Sequence, residues 1–306
     1  MRYILLFILL SPSFLVGQNS ATLQVVTKVV EDNYAYRDGY EVAIEGEKAE
    51  IFVETWDKKE ISVRVEMTAK HAELDVARHD LESLVFSTNR EKNKFYLRNS
   101  RRNDEAKPES QLTIHYYITL PEECPVYVKN HFGSSNISNL RNRVRIYGEF
   151  SQININNVQG LLDIRTRFGD IMGDRINGNV SINARRSDVD LTNIGGSFTI
   201  NAQYGKLRLA PTAALTDLTV FADKSDVLLI DPLDAQLAYT LTTTQGDMVV
   251  PGELRIRELE SAEGVRRVMI RPDSEVGGGA INVHVTFGEL RLEAQERELK
   301  RVRVNR

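Results

Sequence analysis

Residues 144–215 read VRIYGEFSQININNVQGL, LDIRTRFGDIMGDRINGN, VSINARRSDVDLTNIGGS and FTINAQYGKLRLAPTAAL when broken at Val144, Leu162, Val180 and Phe198. In that frame Ile146, Ile164, Ile182 and Ile200 form one column, and Ile153, Ile171, Val189 and Leu207 form another, with 18 residues between neighbours. Apolar columns in register at a short fixed period mark a solenoid, in which each lap buries its apolar face only against its neighbours. Within a lap, Leu162, Ile164 and Thr166 alternate with Asp163, Arg165 and Arg167, the pattern of a strand with one buried face. The columns Phe150, Phe168, Arg186, Tyr204 and Ser151, Gly169, Ser187, Gly205 come next. A small residue relaxes the steric limit on the backbone, so the bend is expected at the second of these columns. A second short strand begins at Ile153, Ile171, Val189 and Leu207, and Asn177-Gly178 or Gly195-Gly196 closes the lap with a turn.

The template runs back to Val126, Val128, Phe132, Gly133, Ile137 and Leu140, and forward with drift to Leu218, Val220, Lys224, Ser225 and Val227. Later bends fall at Ser225, Gly246 and Gly288, in steps of 20, 21 and 42 residues from Gly205. The last step is two laps long, so 254–280 is expected to be one irregular turn or an inserted hairpin. Gly277-Gly278-Gly279 would mark the return to register before Ile281, Val283, Val285 and Leu290. Laps of ~18–21 residues at roughly 3.3 Å each have a perimeter near 60 Å, which makes a narrow coil filled by side chains.

Ahead of the repeats, Arg2 and an apolar run from Tyr3 to Val16, ending at the small residue Gly17, form a secretory signal peptide over 1–17, cleaved between Gly17 and Ser20. The run is too short to anchor a mature chain across a bilayer, and no other segment qualifies as a transmembrane span. Export to the periplasm or the cell surface follows. Cys124 is the only cysteine, so an exported chain cannot staple itself internally, and stacking must supply the stability. Cys124 itself is expected to be a small apolar filler between Pro121 and Pro125.

Residues 18–120 form an N-terminal β-rich cap and first laps. Alternation is visible in Tyr40-Val42-Ile44, Ile51-Val53-Thr55, Ile61-Val63-Val65 and Leu112-Ile114-Tyr116-Ile118. Leu74, Ala77, Leu81 and Leu84 recur at helical spacing, which predicts one short helix near 71–84 covering an end or side of the first laps. A solenoid needs such a distinct terminal unit to prevent end-to-end growth. The charged stretch Arg98 to Glu109 is expected to be a solvated excursion. The regular solenoid spans 121–292, and 293–306 is a charged C-terminal end. Taken together the class is all-β, a single-chain β-solenoid with an N-terminal cap.

Ile51 to Val63, with its strand, Trp56-Asp57 turn and second strand, resembles the bacterial putative-adhesin β-strand-repeat family of unknown function. Leu120-Pro121 before Val126, Val128 and Phe132-Gly133 is similar to that family's approach to its repeats. Phe168-Gly169-Asp170-Ile171, Gln245-Gly246-Asp247-Met248 and Phe287-Gly288-Glu289-Leu290 resemble its aromatic-Gly-Asp-aliphatic step. The resemblance covers about 40–292 and implies a β-solenoid, export and an adhesin-like role; it brings no catalytic residues.

The chemistry-bearing pattern of the repeats is an acidic stripe one residue after the bend, Asp170, Asp188, Asp226, Asp247 and Glu289. Carboxylates on adjacent laps could form the acid-base pair of a carbohydrate-active β-helix enzyme. Gln152 and Lys206 share the column, however, and acids after Gly or Ser are what a solvated turn prefers, so no catalytic residue is assigned. Calcium-binding nonapeptide rolls need paired Gly-Gly-x-Gly-x-Asp segments, which this chain lacks, and His71, His79, His115, His131 and His284 have no metal-ligand spacing. No cofactor or metal is expected. The column Phe132, Phe150, Phe168, Tyr204 and Phe287 could stack sugars if exposed; in phase with the inward column, it is expected to be a core ladder. A net charge of −4 predicts no nucleic-acid partner. The expected function is a non-catalytic scaffold or adhesion-like module of the bacterial envelope, with a glycan or an unknown envelope protein as partner. The alternatives are the glycan-cleaving enzyme and a structural or regulatory protein-binding component.

Overall fold

The structure, a computed structural model, describes residues 23–102, 107–232, 237–270 and 278–295. The expected signal peptide, Asp104 and Glu105, Gly277 and the basic run from Glu298 to Arg306 lie outside the described residues. The chain opens with β1 (Gln24–Ala35), β2 (Glu41–Trp56), β3 (Glu60–His71), α1 (Leu74–Glu82), β4 (Leu84–Glu91), β5 (Lys94–Arg101) and β6 (Gln111–Pro121). The regular laps are β7 (Val126–Ser138), β8 (Val144–Arg167), β9 (Ile171–Arg185), β10 (Val189–Gln203) and β11 (Lys206–Asp223). Then follow β12 (Asp226–Asp231), β13 (Ala238–Thr244), β14 (Asp247–Val249), β15 (Ile256–Ala262), β16 (Val265–Ile270), β17 (Ala280–Thr286) and β18 (Glu289–Ala294). All the strands belong to one sheet.

That sheet is the expected β-solenoid. Parallel ladders pair Val126 with Val144, Leu162 with Val180, Val180 with Phe198, and Phe198 with Leu218. Ile164 pairs with Ile182 and Ile182 with Ile200, and Ile146, Ile164, Ile182 and Ile200 are all buried. Such a column is the energetic centre of the fold, because each fully buried aliphatic side chain contributes about 1.5–3 kcal/mol relative to exposure.

At the bend the structure revises the expectation. The left-handed residue is the large one: Phe132, Phe150, Phe168, Arg186, Tyr204, Lys224, Gln245 and Phe287 all have φ between 47 and 60°. The small residue after it is required for a different reason. A Cβ on Gly169 would stand 2.1 Å from the Ser151 carbonyl oxygen, and one on Gly205 would stand 2.1 Å from that of Ser187. Laps therefore touch backbone to backbone at this corner, and at Ser187 and Ser225 the hydroxyl bridges neighbouring laps. Ser187 Oγ accepts from the Gly169 N–H at 3.2 Å and donates to the Arg185 carbonyl at 3.1 Å. A second left-handed corner, Asn139, Asn157, Arg175 and Asn193, also repeats every 18 residues. Asn is among the few residues that tolerate this conformation.

The C-terminal laps do not stack in sequence order. β17 lies between β11 and β13, pairing Leu218 with Ile281 and Ile281 with Tyr239. β18 likewise lies between β12 and β14, so the corner residues run Ser225, Gly288, Gly246 in space. The expected hairpin exists as antiparallel β15 and β16, and β16 pairs antiparallel with β13 to end the stack. Burial decides this order. Ile281, Val283, Val285, Leu290 and Leu292 are buried and need cover on both sides, whereas every residue of β15 is exposed. The outermost strand carries Arg257, Glu258 and Glu260, charges that blunt a sheet edge.

At the other end β2 lies between β7 on one side and β5 and β6 on the other. Antiparallel β3 then pairs with β6, and β1 with β3, which stops the parallel stack. The helix α1 contacts β1 and β3 and buries Ala77 and Leu81. Near this junction Glu41, almost fully buried, receives Arg145 at 2.6 Å and Lys94 at 3.3 Å. The charged excursion is shorter than expected: Arg98 to Arg101 belong to β5, and Arg98 Nε donates to Glu45 Oε2 at 2.7 Å.

Candidate functional site

Two neighbouring surfaces carry the chemistry of the regular laps: the corner ridge and a groove beside it. The left-handed conformation turns the ridge side chain out of the lap, which is why the predicted core ladder is instead exposed. Phe132 is 48% exposed, Phe150 46%, Phe168 40%, Tyr204 43% and Phe287 56%. The rings still stack. Phe132 and Phe150 lie 5.1 Å apart and 5° from parallel, and Phe150 and Phe168 lie 4.7 Å apart and 4° from parallel. Arg186 continues the row, 5.3 Å from the Phe168 ring and 5.9 Å from Tyr204, and Lys224 sits 5.4 Å from the other side of Tyr204. Cations over ring faces are held by the ring quadrupole, so the polar breaks in the column extend the ladder. With a neighbour on either side, Phe150, Phe168 and Tyr204 present edges to solvent. A sugar cannot lie flat on the inner rungs.

The acidic stripe is brought into one column, as its register requires, with Lys206 between Asp188 and Asp226. Its carboxylates serve the backbone. Asp170 Oδ1 accepts from the Asp188 N–H at 2.9 Å, Asp188 Oδ1 from the Lys206 N–H at 2.7 Å, and Asp226 Oδ1 from the Glu289 N–H at 3.0 Å. Glu289 pairs with Arg291 at 2.6 Å, and Asp247 is exposed beside it. Asp170, Asp188 and Asp226 thus each complete a corner donor, which is a structural use of the charge. Among the described residues no group of three or more His, Cys, Asp or Glu side chains could hold a metal ion.

The groove, of about 690 Å³, runs across the strand that precedes the ridge. Its lining residues Arg167, Arg185, Gln203 and Asp223 each stand one position before a ridge residue. Two positions further back lie Tyr147, Arg165, Asn183, Asn201 and Phe221, with His284 beyond them on the intercalated lap. Asn201 Nδ2 donates to Asn183 Oδ1 at 3.4 Å, and small polar side chains in these central laps leave a depression between Tyr147 and Phe221. Arg167 pairs with Glu149, and Arg165 lies 3.6 Å from Asp163. Arg185 has no acidic partner among the described residues. None of these was singled out from sequence as a groove, although the outward columns repeat at the same 18-residue period as the core.

A second depression on the following strand is lined by Glu54, Asn136, Asn154, Asp174 and Asp190. Hydrogen bonds from Asn193, then Thr192, and the Arg175 charge hold the Asp174 carboxyl below the usual aspartate range against the opposing effect of desolvation. Asn154 Nδ2 donates to Asn136 Oδ1 at 2.8 Å, an amide rung between laps. Cys124 is fully buried under Tyr40 and Pro125, and burial pushes its thiol up to about 12. It is packing, not a reactive site.

No curated protein matches the chain. Among solved structures, a putative adhesin from Bacteroides fragilis is similar at 9% identity, over 88% of this chain and 97% of that one, with a TM-score of 0.46. A putative adhesin from Parabacteroides merdae is similar at 10% identity, over 87% and 96%, with a TM-score of 0.41. A putative lipid binding protein from Parabacteroides distasonis shares 10% identity over 87% and 96%, with a TM-score of 0.34. The Toastrack DUF4097 family matches residues 40–268, three quarters of the chain and every regular lap from β7 to β11. The chain belongs to the Toastrack DUF4097 family.

Proposed function

We propose that this protein is an exported, non-catalytic β-solenoid that works as an adhesion-like binding module of the bacterial cell envelope, with the corner ridge and the groove beside it as its binding face. One observation carries the reading. Eight non-glycine residues in register adopt left-handed φ at one corner, and five of them are exposed aromatics. Each such residue costs about 1 kcal/mol in backbone strain, and about half of each ring faces solvent at a corner that Arg186, Lys224 and Gln245 show can equally be filled by polar side chains. A row of exposed aromatics where polar residues would also fit supports a surface that meets a partner. The leader-like residues 1–17 support delivery to the envelope, and the use of the acidic stripe as backbone acceptors speaks against the glycan-cleaving alternative.

The test is retention. Labelled protein is incubated with envelope preparations, and wild type is compared with Phe168→Ser and Tyr204→Ser, which alter the ridge but not the buried columns. Retention of wild type, with clear loss in both variants and unchanged circular dichroism, is the expected result. Equal retention of all three proteins, or retention of none, refutes the reading.

A further inference from the structure

Resting on that reading, we propose that the groove bounded by Tyr147 and Phe221 binds a carboxylated oligosaccharide, with Arg185 as its principal carboxylate-binding residue. The groove's lining carries Arg165, Arg167 and Arg185 against a single Asp223, in a chain whose net charge is −4. Arg165 and Arg167 are answered by Asp163 and Glu149, so Arg185 is the arginine of the lining without an ion-pair partner among the described residues. Arg185 is exposed and free of any acidic partner among the described residues, so its planar fork is available for two parallel N–H···O bonds to a carboxylate. Arg167 in the adjacent lap pairs with Arg185 in strand register and is tied back by Glu149. One guanidinium is engaged and its neighbour is open.

The remaining lining selects a saccharide over an acidic peptide. The strands under the groove are interior, each pairing with laps on both sides, so no backbone edge is free to add a peptide strand. The inward residues Ala184, Ala202 and Ala222 are closed off within the lap, which leaves no pocket for a peptide side chain. What faces outward in the middle laps is amide, Asn183, Asn201 and Gln203, whose paired donor and acceptor suit vicinal hydroxyls. These rungs are about 4.8 Å apart, close to the length of one pyranose unit, and four rungs separate Tyr147 from Phe221, so the groove spans about 19 Å. Phe221 is 53% exposed and, unlike Phe132, Phe150 and Phe168, has no aromatic partner stacked on it among the described residues, which leaves a ring face at the neutral end.

Calorimetric titration of the purified chain with a tetramer of galacturonic acid, at low and at high salt, tests this. A galactose tetramer and a glutamate decapeptide serve as controls. The expected result is salt-sensitive binding of the uronate tetramer that exceeds both controls, weakened about tenfold to a hundredfold in Arg185→Gln, the effect of losing a charge-assisted hydrogen-bonded pair. Arg185→Lys keeps the charge without the fork and is expected to fall between wild type and Arg185→Gln. Unchanged affinity in Arg185→Gln, or binding of the peptide as tight as that of the uronate, overturns the proposal. Competition on the same envelope preparations separates it from the broader reading. Retention that the uronate tetramer cannot displace overturns the ligand class alone, and absence of any retention overturns the binding module itself.

Discussion

Replacing Phe150 by alanine and, separately, by glycine interrogates the ridge corner directly. Alanine removes two ring pairs, with Phe132 at 5.1 Å and Phe168 at 4.7 Å. Each stacked pair contributes about 0.5–1.5 kcal/mol, so about 1–3 kcal/mol is lost from stacking. About half of a ring of ~200 Å² is covered, which at about 25 cal/mol/Å² adds about 2.5 kcal/mol as an upper bound. Glycine loses the same contacts. In ordinary extended backbone it would lose a further 0.5–1 kcal/mol, roughly, relative to alanine. At a φ of 51° the sign reverses, because glycine relieves a left-handed strain of about 1 kcal/mol that alanine keeps. Phe150→Gly should therefore be more stable than Phe150→Ala, with both below wild type. Urea titration followed by circular dichroism reads this as the order of the first-transition midpoints. A Phe150→Gly midpoint below that of Phe150→Ala would refute the claim that strain at this corner sits on the large residue.

Ile164→Ala in the buried column should cost about 2–5 kcal/mol, read as a lowered urea midpoint. Gly169→Ala should destabilise by about 1–3 kcal/mol, since its Cβ would meet a backbone oxygen at 2.1 Å, whereas Gly252→Ala, with nothing within 4 Å, should be neutral or slightly stabilising. Asp188→Asn should stay near wild type in thermal melts, because an amide oxygen can still accept the Lys206 N–H, while Asp188→Ala should melt lower, though by less than Ile164→Ala. Cys124 should resist thiol reagents until the chain is unfolded. Its thiol, pushed up to about 12, binds a proton in the folded state that the unfolded state has released, so stability should fall as pH rises from about 8.5 towards 12. Unfolding titrations across that range should show a shallower alkaline decline in Cys124→Ala.

By itself the sequence determined the class of fold, because a solenoid's information is one-dimensional: like residues stack on like residues at a fixed spacing, and Ile146, Ile164, Ile182 and Ile200 declare the lap. Tertiary structure decided three things that spacing cannot encode. Period alone does not say which way a column faces at a corner, and the left-handed φ turned Phe132, Phe150 and Phe168 from an expected core ladder into an exposed ridge. Nor does it fix the order of laps once the chain has left the regular run. Ile281, Val283 and Leu290 fit between β11–β12 and β13–β14 as well as beyond them, and the need to cover both of their sides placed them inside. The groove, finally, depends on outward side chains of unequal size on laps far apart in sequence, Tyr147 and Phe221 around Asn183 and Asn201. Only the stacking distance between laps turns those separate residues into one surface.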